Sequence, residues 1–343
     1  MTFFESSYPT RLRLTACLVL AASTLGGCTF DYWKPSKPNA REPQLLTSDR
    51  VSVDSVARGR RLEDQGLDRQ ALAEFEKAIE NNPTLVTAYM SAGDIYMKTG
   101  EYDMAASRFG TAAELAPGSF DANFKYGEAL QALGRLVDSA RAYLRALAIK
   151  PTDPVANMNL GVAYLNLGEA DAALPYAERA VRLSPKSAPA RTNLGAVYAS
   201  LNRFDDAIAE YLQASELSAP TPQLLMNLAE SLRKSDQLEQ AANTLEQLVR
   251  IEPSAKAYER VGAVQFKMKN REAAEVAFRK AVEIDVNYYP AMNGVAVCLL
   301  NKYVLDSSEP ARVEAVKFLR TSLQVEKNQP KVKEWLAKYQ HGA

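Results

Sequence analysis

The chain has 343 residues, 47% hydrophobic and 24% charged, an ordinary globular mixture large enough for one or two domains. Forty-one Lys and Arg balance forty-one Asp and Glu, and the resulting pI of about 6.7 argues against nucleic acid as a partner. Three cysteines are too few for a disulfide scaffold, and the single histidine, His341, excludes a Ser-His-Asp triad, a Cys-His pair and a multi-histidine metal site, with nothing calling for a cofactor.

The chain opens with Arg11 and Arg13, followed by the uncharged run Leu14–Gly27. As a helix this run spans roughly 21 Å, short of a bilayer's roughly 30 Å hydrocarbon core, so it reads as a secretory signal over residues 1–27 rather than a membrane span. Its end, Leu25-Gly26-Gly27-Cys28, resembles the lipobox of bacterial lipoproteins. That resemblance implies cleavage before Cys28, diacylation of its sulfur and acylation of the new amine. Thr29 stands where Asp would favour inner-membrane retention, so the resemblance further implies the periplasmic face of the outer membrane.

Residues 28–51 read as the lipidated Cys and a tether. Pro35, Pro38 and Pro43 stand among Lys, Ser, Asn and Gln without an apolar period, and a flexible linker of this length reaches about 26 Å. Phe30, Tyr32 and Trp33 follow the lipid site directly. They fit either headgroup-level aromatics or a plain tether.

From Ser52 to about Pro330 the chain repeats itself. Gly59, Gly93, Gly127, Gly161 and Gly195 are 34 apart; Ala229 continues the series, and Gly262 and Gly294 follow at 33 and 32. Ala71, Ala105, Ser139, Ala173, Ala207, Ala241 and Ala274 stand twelve residues after the first seven of these. Pro83, Pro117, Pro151, Pro185 and Pro253 close repeats at one phase. The pattern resembles the tetratricopeptide repeat (TPR) family, best in Tyr89, Gly93, Tyr96, Gly100, Ala105, Phe109, Ala112 and Pro117.

The resemblance implies an all-α, right-handed α-solenoid of about eight helix-turn-helix repeats. In each, helix A and helix B cross closely at small residues, and anything larger at Gly161 or its equivalents would overpack the crossing. Gly66, Gly100, Gly134 and Gly168 fall at the A–B turn, where a positive φ is often needed. In the last repeat, counted from Gly294 to Ala315, nine residues are inserted around 301–311, lengthening the turn or extending helix A. Val332, Trp335, Leu336 and Tyr339 then recur at helical spacing and read as a capping helix within residues 331–343. Cys298, in an apolar stretch, reads as a small buried hydrophobe rather than a nucleophile.

In this family helix A lines the concave face, with the residues three and two before the small position facing the groove. Those pairs include Met158/Asn159, Thr192/Asn193, Met226/Asn227 and Glu259/Arg260. Asn159, Asn193 and Asn227 are spaced by 34, and an amide carries both a donor and an acceptor, so such a ladder can pair with the backbone of an extended peptide. The repeat domain of O-linked N-acetylglucosamine transferase carries an Asn ladder, and the middle of this chain is similar to it. The alternative is Asn that is only solvated. Asn227, Lys256 and Arg260 also match two of the three repeats of the carboxylate-clamp TPRs, but Thr192 and Ala196 replace the Lys and Asn of the first. They mark either a basic spot at the C-terminal end of the groove or a solvated charge pair.

The reading is a non-enzymatic, membrane-anchored scaffold or adaptor of the cell envelope, of pilus, secretion or outer-membrane assembly type, that takes a protein or peptide partner in its groove. The alternative is a regulatory or recruiting subunit of an envelope enzyme complex, such as a glycosyltransferase or the peptidoglycan machinery.

Overall fold

The computed structural model describes residues 41–341, with side chains from Asp49 onward. Residues 1–27, Cys28 and the aromatics Phe30, Tyr32 and Trp33 lie outside the described residues. Within them all regular structure is helical, in seventeen helices. They run α1 (Arg41–Asp64), α2 (Asp68–Asn81), α3 (Val86–Thr99), α4 (Tyr102–Leu115), α5 (Phe120–Ala132), α6 (Leu136–Ile149), α7 (Pro154–Asn166) and α8 (Ala170–Leu183). They continue as α9 (Ala188–Ser200), α10 (Phe204–Leu217), α11 (Pro222–Lys234), α12 (Leu238–Ile251), α13 (Ala255–Lys267), α14 (Arg271–Ile284), α15 (Tyr289–Asp306), α16 (Glu309–Val325) and α17 (Pro330–Tyr339). Eight A/B pairs stack into an α-solenoid, and α17 follows the last.

The first helix starts at Arg41, inside the stretch assigned above to the tether, so residues 41–51 are helix and not linker. Pro43 does not prevent this, because it falls in the first turn, where a proline removes an N–H that has no intrahelical partner.

Local chemistry sets where each helix A begins. Ser119, Asp153, Ser187, Thr221 and Ser254 are N-caps whose side chains accept a backbone N–H of the first turn of α5, α7, α9, α11 and α13. A second periodic device ties helix A back to the closing proline. Tyr89, Asn123, Asn157 and Arg191, each 34 apart, donate to the carbonyls of Pro83, Pro117, Pro151 and Pro185 at 2.9–3.1 Å. These loops are therefore satisfied by side chains six residues downstream.

The A–B crossings follow one rule with exceptions. Phe75, Phe109, Tyr143, Tyr211 and Phe278 on the B helices lie over Gly59, Gly93, Gly127, Gly195 and Gly262, where an added Cβ would meet the ring at 2.4–2.7 Å. Glycine is needed there because the ring occupies the space of its side chain. At Gly161 the facing residue is Ala177, and a Cβ would meet its backbone N at 3.4 Å, and its Cβ and the Ala173 carbonyl oxygen at 3.6 Å. The expectation that Gly161 is as restricted as the others therefore fails: with no ring to seat, the α7–α8 crossing has ordinary van der Waals room. The fully buried alanines of the B helices, from Ala71 to Ala281, complete the seams.

The A–B turns need a left-handed residue. Gly66, Gly100, Gly134 and Gly168 supply it at φ of 71–81°. Asn202, Asp236 and Lys269 take over in the later repeats at φ of 59–66°, where Asn and Asp adopt this conformation more readily than Lys.

The last repeat departs from the phase read off the sequence. Starting positions run 34 apart from Val86 to Pro222, then 33 to Ala255, then 34 again to Tyr289. Ala296, not Gly294, therefore stands at the position of Gly262. Nineteen residues separate Ala296 from Ala315, against twelve from Gly161 to Ala173, so the insertion is seven residues rather than nine. It extends both α15 and α16, leaving a short turn in which Ser307 is left-handed at φ 54°. The capping helix α17 covers this repeat: Val332 is buried in its core, Tyr339 meets Tyr303 edge-on, and Arg312 donates to the Tyr339 carbonyl at 2.6 Å.

Candidate partner-binding groove

Helices α5, α7 and α9 each touch the next A helix in the series, and α13 touches α15. The B helices show no comparable mutual contact, so the stack curves with its A helices on the inner side. Met158, Asn159, Asn193, Met226 and Asn227 are all half-buried on three consecutive A helices, as the spacing predicts.

The three amides are not equivalent. Asn159 donates to the Tyr143 hydroxyl at 3.4 Å. Asn227 accepts from Gln223 at 2.8 Å and lies beside the Tyr211 hydroxyl. Asn193 has no hydrogen-bond partner among the described residues. The cause lies sixteen residues upstream in each case: Tyr143 and Tyr211 stand beneath Asn159 and Asn227, whereas Ala177 stands beneath Asn193. Burial pushes both tyrosine hydroxyls well above the ordinary phenol range, so they stay protonated under their amides. Asn193 is thus the rung whose donor and acceptor are both unspent.

The C-terminal stretch of the predicted site is electrically quiet. Arg260 lies 3.4 Å from Glu259 and 4.0 Å from Glu230, and Glu230 also holds Arg233 at 2.6 Å. Burial works to raise Glu230, but the bond from Arg233 and the charges of Arg233 and Arg260 outweigh it and lower its pKa. Burial raises Glu259. Two arginines and two carboxylates cancel, so Arg260 is neither a basic spot nor a solvated pair but part of a half-buried network. Lys256 stays exposed, with no ion pair among the described residues. It shares with Met226, Gln223 and Glu252 the lining of a cavity of about 330 Å³ between α11, α12 and α13. Toward the other end Lys125 is neutralised by Asp94, and Phe124 stacks on Phe120 at 5.5 Å. Among the described residues no group of three or more His, Cys, Asp or Glu is placed to hold a metal.

A larger cavity was not foreseen. About 520 Å³ opens where the groove meets α17, among Phe266, Phe278, Gly294, Val297, Val332 and Trp335. Phase was the available signal: counted from Tyr289, Gly294 occupies the position that carries Asn159, Asn193 and Asn227 in the middle of the array.

Tetratricopeptide repeat models match residues 56–106, 90–154, 158–222, 223–255 and 255–288. Among curated proteins no match was found. A tetratricopeptide repeat protein from Parabacteroides merdae has a similar structure, with TM-score 0.55 and 16% identity over 73% of this chain and 99% of that one. PilF of Pseudomonas aeruginosa is similar at TM-score 0.54 and 18% identity, over 63% of this chain and 99% of its own. PilW, a type IV pilus biogenesis factor, is similar at TM-score 0.52 and 24% identity, over 59% and 94%. At these identities the likeness is one of fold.

Proposed function

The chain belongs to the tetratricopeptide repeat family, and from that premise we propose that it is a lipid-anchored adaptor of the bacterial envelope that holds an extended partner segment in its groove. The observation that carries the binding half is the alignment of Asn159, Asn193 and Asn227 on α7, α9 and α11, flanked by the adaptable side chains of Met158 and Met226. The anchor half rests on Leu25-Gly26-Gly27-Cys28. The anchored face is the periplasmic side of the outer membrane, given Thr29 after the lipidated residue. PilW, by its role in pilus biogenesis, supplies the precedent for a pilus or secretion task on this fold.

The groove is tested by capture from solubilised envelopes. The triple Asn159→Ala, Asn193→Ala, Asn227→Ala chain is expected to keep its helical signal and melting temperature, since the three amides are half-exposed and two of them spend only part of their bonding capacity internally. Each lost neutral hydrogen bond costs about 0.5–1.5 kcal/mol, so the triple change weakens partner binding by about 1.5–4.5 kcal/mol, or about ten- to two-thousand-fold. Asn193 is expected to carry the largest single share, because it breaks no internal bond to bind. A triple variant that retains the parent's captured partner as tightly would move the site to another surface. For the anchor, Cys28→Ser is expected to abolish labelling by a palmitate analogue, because a hydroxyl does not replace the thiolate. Unchanged labelling would rule the lipobox out.

A further inference from the structure

The cavity under α17 is a built feature of the array's end. In two of the repeats before it, the residue sixteen positions after the helix-B aromatic lies over that ring. Lys125 stands 5.8 Å over Phe109, and Asn159 donates to Tyr143. After Phe278 the sixteenth residue is Gly294, whose Cβ would lie 2.4 Å from the ring. The ring therefore fills the space of the missing side chain, and no residue of the chain reaches over it from this position. Val332 and Trp335 of α17 roof the space instead.

The polar groups at the cavity's edge are already engaged with one another. Asn293 donates to Gln329 at 2.7 Å, Ser322 donates to Asn293 at 2.7 Å, and Gln329 donates to Ser322 at 2.9 Å. The cavity presents carbon to its occupant, and about 520 Å³ lies in the size class of ligand pockets. The one charge on its lining is Lys331, whose ammonium sits 5.4 Å over the Trp335 ring and has no carboxylate partner among the described residues. The wider end is basic as well, with eight Lys and Arg against five Asp and Glu across residues 289–341, whereas Arg260 and Lys125 further along the groove are neutralised internally.

We propose that this cavity seats a large apolar side chain of the groove-bound partner segment, next to an acidic residue that pairs with Lys331. The assignment rests on the groove reading above and adds the chemistry of the partner: an apolar anchor and a neighbouring carboxylate, entering at the C-terminal end of the array. Lys331 on the roof sets the charge preference, and the Phe278–Gly294 floor sets the size preference.

The test uses a phage library of random twelve-residue peptides selected on the purified full-length chain. Binding is then followed by Trp335 fluorescence in a Trp33→Phe background, which leaves one tryptophan. Selected peptides are expected to share a Phe, Trp, Leu or Met within three residues of Asp or Glu, and to shift Trp335 emission. Ala263→Phe, which fills the cavity from α13, is expected to weaken them at least tenfold. Lys331→Glu is expected to reverse the charge preference toward Lys or Arg. Should Ala263→Phe lose its helical signal, the exposed Lys331→Glu still decides. Peptides that lack the apolar-acidic pair, or that bind both variants as tightly as the parent, overturn the cavity proposal; if they are still lost on the triple Asn→Ala chain, the groove reading stands. Peptides that bind all three variants equally overturn both, and a library that yields no binder overturns the cavity proposal.

Discussion

Phe109→Ala is expected to lower the stability of the N-terminal half of the array by about 3–5 kcal/mol, seen as a lower urea midpoint for the purified chain. The ring is 1% exposed and lies over Gly93, in a core cluster that includes Ala92 and Ala105. Neither alanine can swing into the space it leaves, so the cavity persists instead of collapsing. The loss stays local, because a solenoid couples each repeat only to its neighbours, and the unfolding curve should split into two steps. The ringless crossing of α7 and α8 supplies the contrast. There Gly161 meets Ala177 at ordinary contact distance, so Gly161→Ala is expected to be neutral or stabilising by up to about 1 kcal/mol. The same change at Gly93 drives a methyl into the ring and should cost about 1–3 kcal/mol. An unchanged midpoint for Phe109→Ala, or equal effects at the two glycines, would contradict this account.

Cys298 is expected to react with a disulfide reagent at least a thousandfold more slowly in the native chain than in urea, measured with Cys17 and Cys28 replaced by Ser. The residue is buried in the core of the last repeat. Burial, helped by Glu275, pushes its thiol from 9.0 up to about 12. Each pKa unit removes tenfold of the reactive thiolate, so three units remove about a thousandfold before access is considered. The slow reaction then reports opening of α15 and α16. Native labelling as fast as in urea would mean that this end of the array is not closed by α17.

Much of the fold was legible in the sequence, and the failures have specific causes. The register of Asn159, Asn193 and Asn227 follows from 34-residue periodicity alone, and all three stand at equivalent positions of α7, α9 and α11. Their inequivalence does not follow from periodicity, because it depends on which residue of the preceding B helix lies beneath each one. The sequence does hold that information, as Tyr143, Ala177 and Tyr211, but only to a reader who knows that positions sixteen apart meet. Arg260 reads as a basic spot by position alone, because the network that cancels it joins the adjacent Glu259 to Glu230 and Arg233 some thirty residues earlier, on the neighbouring A helix. Gly294 reads as a crossing glycine in the sequence because small residues serve two purposes here: they admit a facing helix at Gly262 and uncover a ring at Gly294. The proline braces from Tyr89, Asn123, Asn157 and Arg191 leave no residue-type signature in the sequence, because three different side-chain types perform one task.

By itself the sequence determined the family, the all-α class, the repeat length, and the turns at Gly66, Gly100, Gly134 and Gly168. These depend on interactions within one repeat, which recur every 34 residues and therefore show as a period. Only the tertiary structure decided which amide is unspent, which cations are cancelled, that the last crossing uses Ala296, and that α17 roofs a cavity floored by Phe278. Those outcomes arise where side chains from different repeats meet. There the identity of one unlike residue, Ala177 or Gly294, outweighs the repeating pattern, because close packing leaves its space to be filled by a neighbour or left open.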